Sequence, residues 1–269
     1  MKDIRIALVI SRSSVGKTTE NLDRMEKWIA DARRQDAQLI CFPELNITGY
    51  TSRKEIREVA ESIPGKSTSR VIDMAGNSGL TILAGMAEKR KGAGIFASHI
   101  LFTPDGNVDI YRKLHIAPPE KKIFSAGNAV PVFSACGITF GIQLCYDAHF
   151  PELTTHMAEK GAEVVFIPHA SPRGTPGEKQ ASWMRHLPAR AYDNSLFVAA
   201  CNQTGTNNAG LNFPGLALVI GPSGQLLNEK LCSGEGMLIV DLEKDVFAGV
   251  RKNRMHYFLP NRRKDLFKT

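Results

Sequence analysis

The sequence predicts a mixed α/β domain built on at least one large sheet, or on two sheets packed together. Three observations carry that prediction: short apolar runs rich in Ile, Val, Leu and Phe recur along the chain, helical periodicity fills several of the early gaps, and turn-forming clusters separate the late runs. A chain of 269 residues, 43% hydrophobic and 23% charged, falls in the range where an α/β architecture buries one large core. No Ser/Gly/Pro linker or internal repeat divides it, so residues 1–269 read as a single domain.

Strands are expected at 4–10, 37–42, 81–87, 95–102, 108–111, 137–144, 163–167, 196–200, 217–220 and 237–240, where β-branched and aromatic side chains suit a pleated, buried surface. The clearest helix covers 19–34. Leu22, Met25, Ile29 and Ala32 fall three or four residues apart on one face, behind Thr18 or Thr19 as a cap. Further helices are expected at 67–77, 151–160 and 178–193, with Pro151 suited to a first turn and Pro188 ending or kinking the last of them. Pro104-Asp105-Gly106, Gly221-Pro222-Ser223-Gly224 and Ser233-Gly234-Glu235-Gly236 are turn signals whose spacing points to hairpins.

Composition excludes several classes of function. The formal charge of +7 is scattered among acids, and its densest run, Arg262-Arg263-Lys264, reads as a solvated basic face. A nucleic-acid partner would require a basic stripe with exposed aromatics, which is absent. No apolar run approaches the roughly 20 residues that span a bilayer, and the opening stretch lacks a secretory pattern, so no membrane partner and a cytoplasmic location are expected. Cys41, Cys136, Cys145, Cys201 and Cys232 are an odd set without a Cys-x-x-Cys pair, against a disulfide framework or a zinc site; most read as small buried hydrophobes. The histidines, His99, His115, His149, His156, His169, His186 and His256, form no His-Glu-x-x-His, so neither a metal nor another cofactor is implied. Gly16-Lys17-Thr18 follows a strand and precedes a helix, yet Ser11 stands where a phosphate loop needs glycine. Ser14-Val15-Gly16-Lys17 fits a Ser-x-x-Lys pattern whose companion motifs are missing.

Three residues share one kind of place. Glu44, Lys113 and Cys145 each come at or just after the carboxyl end of an apolar strand, where open α/β sheets expose reactive groups. A helix beginning after Cys145 would favour its thiolate if aimed at the sulfur. Taken singly, the two charges read as surface groups and the cysteine as core. Taken together, a carboxylate can receive the thiol proton, and an ammonium can stabilise both the thiolate and a developing oxyanion. A cysteine–histidine pair remains open, because such partners meet in space rather than in sequence.

These residues also carry a resemblance. Phe42-Pro43-Glu44-Leu45 with Thr48-Gly49-Tyr50, then Tyr111-Arg112-Lys113-Leu114-His115, then Cys145-Tyr146-Asp147 with Phe150-Pro151-Glu152-Leu153, resemble the three motifs of the carbon–nitrogen hydrolase (nitrilase) superfamily in their usual order. Pro188-Ala189-Arg190-Ala191 with Asp193-Asn194, and the terminal segment 262–267, extend the likeness over nearly the whole chain. The resemblance implies a four-layer α-β-β-α sandwich of two mixed sheets, paired as a homodimer or a higher oligomer. It implies Cys145 as nucleophile, Glu44 as base, Lys113 and the Tyr146 N–H as oxyanion donors, and Glu120 in Pro118-Pro119-Glu120-Lys121 as a second glutamate. Tyr50, His169 and Arg173 fall where the family shapes its substrate pocket. The implied reaction is hydrolysis of a small amide or N-carbamoyl compound through a thioester; Tyr146-Asp147 resembles the amidase and carbamoylase branches rather than the Trp-Glu of members acting on nitriles.

Overall fold

Alternation inside the apolar runs sets the layers. The computed structural model describes residues 1–263 together with Asp265 and Leu266; Lys264 and Phe267, part of the terminal segment of the resemblance, lie outside the described residues. In β1 (Ile4–Ile10), Ile4, Ile6, Leu8 and Ile10 belong to one core and Ala7 and Val9 to another, the two-residue period of a strand. Both faces are buried, so the strand requires a partner layer on each side. β2 (Leu39–Cys41) and β3 (Thr81–Arg90) repeat the pattern, with Cys41 and Leu83 siding with Leu8, and Ile40 and Ile82 with Val9.

β4 (Gly94–Phe102) and β5 (Val108–Arg112) continue this sheet as antiparallel neighbours, and its other edge is the last strand, β14 (Gly236–Leu242). The order is β14-β1-β2-β3-β4-β5, parallel only at β1-β2-β3. A second six-stranded sheet holds β6 (Phe133–Ala135), β7 (Ile138–Ile142), β8 (Val164–His169), β9 (Phe197–Asn202), β12 (Gly215–Ile220) and β13 (Leu226–Cys232). Its order is β13-β12-β9-β8-β7-β6, parallel at β7-β8-β9. A two-stranded ribbon, β10 (Gly205–Thr206) and β11 (Asn212–Phe213), stands apart from both.

The sheets meet face to face where β1 packs on β9 and β12. Outside the first sheet lie α1 (Thr18–Arg34) and α3 (Lys66–Ser78), which bury Leu22, Met25, Ile29, Val71 and Met74 against it, while the short α2 (Ile56–Val59) touches β3. Outside the second lie α4 (Pro151–Glu159) and α6 (Leu187–Asn194). Gly141 lets α4 approach closely: a Cβ there would sit 2.5 Å from the Met157 sulfur. With α5 (Pro176–Trp183) and α7 (Lys244–Lys252), the result is the four-layer α-β-β-α sandwich of two mixed sheets that the motifs implied. Among the described residues, no helix is long and apolar enough to cross a membrane.

Several local expectations needed correction. Neither Thr18 nor Thr19 caps α1; its N-cap is Lys17, without a side-chain hydrogen bond. The expected helix over 178–193 is two helices, broken before Leu187, with Pro188 in the first turn of α6 where its missing N–H is harmless. Turns at 104–106 and 221–224 close hairpins β4–β5 and β12–β13, but 233–236 carries the chain from the edge of one sheet to the edge of the other. β13 escaped the sequence reading because its run, Leu226 to Cys232, is an edge strand with mostly exposed side chains. Only Cys41 and Cys201 are fully buried cysteines; the other three are half-buried, and all five are free thiols.

Candidate active site

Glu44 occupies a turn stitched to the neighbouring strand. The Phe42 N–H donates to the Leu83 carbonyl (2.8 Å), the Ile47 N–H to Gly85 (2.9 Å), and the Gly85 N–H to Asn46 Oδ1 (2.8 Å). This close approach needs Gly85, since a Cβ there would lie 2.7 Å from the Leu45 nitrogen and 2.8 Å from His99 Nδ1. The opposite sheet holds the acid from the other side. Beyond β8, the Ala170 N–H donates to Glu44 Oε2 at 3.0 Å; beyond β9, Gln203 Nε2 donates to the Glu44 carbonyl at 2.8 Å. Glu44 is therefore clamped between the sheets and almost wholly buried.

Lys113 follows β5 and leaves the ladder through paired backbone bonds, its N–H to the Ala97 carbonyl (2.9 Å) and its carbonyl accepting from Gly127 (2.8 Å). Neighbouring Arg112 is turned away by a two-pronged pair with Glu88, both bonds at 2.6 Å. The Lys113 ammonium, only 1% exposed, donates to Glu44 Oε1 at 2.8 Å and to Glu120 Oε2 and Oε1 at 2.9 and 3.1 Å. Glu120 is no surface charge: it closes a 3₁₀ turn, Pro118–Glu120, is 3% exposed, and also accepts from the Tyr50 hydroxyl at 2.9 Å. One buried cation thus bridges two buried carboxylates, with good geometry on every arm.

Burial drives the charges of this cluster. It raises Glu44 to about 7, with Lys113 opposing and Glu120 adding to the rise. It pulls Lys113 down, but Glu44 and Glu120 outweigh that and hold the ammonium firmly protonated. The Tyr50 phenol is pushed up by burial and by both carboxylates, so it stays a donor.

Cys145 comes three residues after β7, as Glu44 comes three after β2. Its backbone is left-handed (φ +45°), uncommon for a residue with a side chain, and it opens a 3₁₀ turn, Cys145–His149, ahead of α4. Asp147 fastens that turn. Its buried carboxylate accepts from the Tyr111 hydroxyl (2.7 Å), the Leu144 N–H (3.0 Å) and the His115 N–H (2.8 Å), tying the cysteine turn to the segment that carries Lys113. Burial, then Glu44, push the Cys145 thiol up to about 12 against the pull of Lys113. A 3₁₀ turn intervenes between the sulfur and α4, so the helix start does not follow the cysteine directly.

The remaining expected residues divide. Tyr50 joins the charge cluster and packs edge-on to Phe213. Tyr146 follows the nucleophile candidate directly, its ring against His149 and Phe150. His169 is buried, donates from Nδ1 to the Ile167 carbonyl (2.7 Å) and stacks on Trp183 at 4.1 Å; burial holds it neutral. Arg173 is exposed on a left-handed backbone (φ +71°), and the structure does not bring its side chain to the cluster. Sequence reasoning missed Ala170, Gln203 and Asp147 as the groups that fix Glu44 and Cys145. Asp147 had a signal, its place in the cysteine motif; a backbone N–H and a glutamine after a strand had none.

A surface depression of about 830 Å³ lies elsewhere, at the amino ends of β1, β2 and β3, lined by Asp3, Gln38, Thr81 and Cys136 among others. It contains none of the clustered residues, so the chemistry belongs to the carboxyl ends.

The chain belongs to the carbon-nitrogen hydrolase family, whose model matches residues 5–252, and is thereby an enzyme of the hydrolase class. It is similar to a nitrilase of Pyrococcus abyssi, with 30% identity over 98% of this chain and 99% of the relative. It is also similar to a 2-oxoglutaramate amidase of Bacillus subtilis, with 31% identity over 89% and 91%. Among solved structures, the amidase of Nesterenkonia sp. AN1 superposes with a TM-score of 0.85 at 29% identity, covering 98% of both chains. Variants of that amidase have been solved with butyramide bound and with an acetamide moiety added covalently at the active-site cysteine.

Proposed function

We propose that this chain hydrolyses the carbon–nitrogen bond of small amides, N-carbamoyl compounds included, through an acyl thioester on Cys145. The observation that carries the reading is the Lys113 ammonium held 2.8 Å from Glu44 and 2.9 Å from Glu120 beside the strained cysteine turn. An acid near neutrality next to a protonated thiol suits general-base catalysis at physiological pH.

Glu44 takes the thiol proton as sulfur bonds to the amide carbon, and the carbonyl electron pair moves onto oxygen. That oxyanion is met by the Lys113 ammonium and the Tyr146 N–H. Glu44 then returns its proton to nitrogen, the carbon–nitrogen bond breaks, and the thioester remains. Water gives a proton to Glu44 as it attacks; when the carbon–sulfur bond breaks, the acid leaves and Glu44 reprotonates the sulfur. Glu120 accepts from Lys113 throughout, which keeps the ammonium in place while Glu44 changes charge. The bound butyramide and the cysteine adduct of the Nesterenkonia amidase support this reading.

Ammonia release from a panel of primary amides, N-carbamoyl compounds and nitriles tests it. Turnover of amides, abolished in Cys145→Ala with the fold retained, is expected. Turnover of nitriles alone would overturn the assignment.

A further inference from the structure

We propose that His99 is a positioning residue for the reaction: its neutral imidazole accepts the Leu45 N–H at Nδ1 and so seats the turn that carries Glu44. The inference rests on Glu44 as the base of the amidase reading and adds the group that holds this base in register.

His99 is a buried titratable side chain that takes no part in the proposed proton transfers. In β4 it alternates with Ile95, Ala97 and Leu101, whose side chains enter the core between the sheets, and it is wholly buried there. Among the described residues, neither of its ring nitrogens has a hydrogen-bond partner. Buried polar atoms are almost always paired, so packing alone does not account for an imidazole at this place. Leu45, which directly follows Glu44, presents the complementary orphan. It is buried, its backbone is left-handed (φ +53°), and its N–H has no acceptor among the described residues. The two meet above Gly85: the point where a Cβ on that residue would stand is 2.7 Å from the Leu45 nitrogen and 2.8 Å from His99 Nδ1. With no side chain on Gly85 to separate them, a small settling of the turn onto the ring makes the bond and removes the penalty on both atoms.

The chemistry of the ring suits this role. Accepting at Nδ1 requires a neutral imidazole with its proton on Nε2, and burial keeps His99 neutral, lowering it to about 3. The turn is tied to β3 on either side of Leu45, through the Phe42 N–H to Leu83 and the Ile47 N–H to Gly85, so His99 acts on the stretch between those ties, where Glu44 sits. Across the ladder on its other side, His99 pairs with Tyr111, whose hydroxyl holds Asp147 and with it the cysteine turn. The imidazole therefore stands between the support of the base and the support of the nucleophile.

Two substitutions separate the acceptor from the shape. His99→Asn keeps an acceptor close to the position of Nδ1, and His99→Leu fills the space without one. On a neutral amide, kcat should fall about tenfold in His99→Leu with KM nearly unchanged, and His99→Asn should recover most of the loss. Lys113 and the Ala170 N–H both pull Glu44 down, so a turn that drifts from them leaves its carboxyl higher, and the acid limb near 7 should rise in His99→Leu. Unchanged kcat and acid limb in His99→Leu, or equal losses in the two variants, would overturn the inference. Nuclear magnetic resonance of protein isotopically labelled at histidine and leucine nitrogens reads the pairing without turnover. The His99 ring should be the Nε2–H tautomer, and the Leu45 amide should exchange with solvent about tenfold faster in His99→Leu than in the wild type. An Nδ1–H tautomer, or exchange at Leu45 that ignores the substitution, would also overturn it. Protection of Leu45 that depends on His99, in a chain that hydrolyses no amide, would uphold the seating of the Glu44 turn and sink the amidase reading alone.

Discussion

Glu44 offers the sharpest test because its environment sets a number. Burial raises its carboxyl to about 7, well above the roughly 4.3 of a free glutamic side chain. The base must be ionised to act, so kcat/KM should rise with pH through an acid limb near 7. At pH 5 only about one enzyme in a hundred would hold an ionised Glu44, placing kcat/KM about fifty-fold below its value at pH 7. An unshifted glutamate would lose less than about twofold over the same interval. Glu44→Gln keeps the shape and an oxygen for Lys113, but it removes the base; kcat/KM should drop by about 10²- to 10⁴-fold and the acid limb should vanish. Initial rates on a neutral amide from pH 5 to pH 9, with circular dichroism confirming the fold at each pH, read both effects. An acid limb near 4.5 in the wild type, or its persistence in Glu44→Gln, would refute the argument from burial.

Other expectations follow from the same geometry. Lys113→Met leaves two buried carboxylates without their cation, and urea denaturation should show a loss of about 3–5 kcal/mol; an unchanged midpoint would mean the buried bridge does not form. Gly85→Ala should drive the Glu44 turn off β3, since its Cβ would meet the Leu45 backbone, and kcat should fall about 100-fold with secondary structure kept; wild-type kcat would show that the turn tolerates displacement. Tyr50→Phe deletes the hydroxyl that orients Glu120, so kcat should fall about tenfold while KM changes little; a KM effect alone would assign Tyr50 to substrate binding.

The strands were legible because β1 and β2 are near-continuous apolar runs, as strands buried on both faces are, and α1 shows its single apolar stripe. β13 was not, since an exposed edge strand has no apolar face to display. Glu44, Lys113 and Cys145 could be singled out as strand-end residues of complementary chemistry, and in the fold the Lys113 ammonium lies against Glu44 and Glu120. The supporting contacts were hidden. Ala170 acts through its backbone, and Gln203 crosses from the other sheet.

The central claim is that Cys145 carries the acyl group during turnover. Intact-protein mass spectrometry on acid-quenched samples with a slow amide substrate measures it directly. The account predicts a mass increment equal to the acyl group, mapped to the peptide containing Cys145, removed by hydroxylamine and absent from Cys145→Ala. Turnover without any such increment under conditions where hydrolysis of the intermediate limits the rate, or an increment that persists in Cys145→Ala, would contradict it.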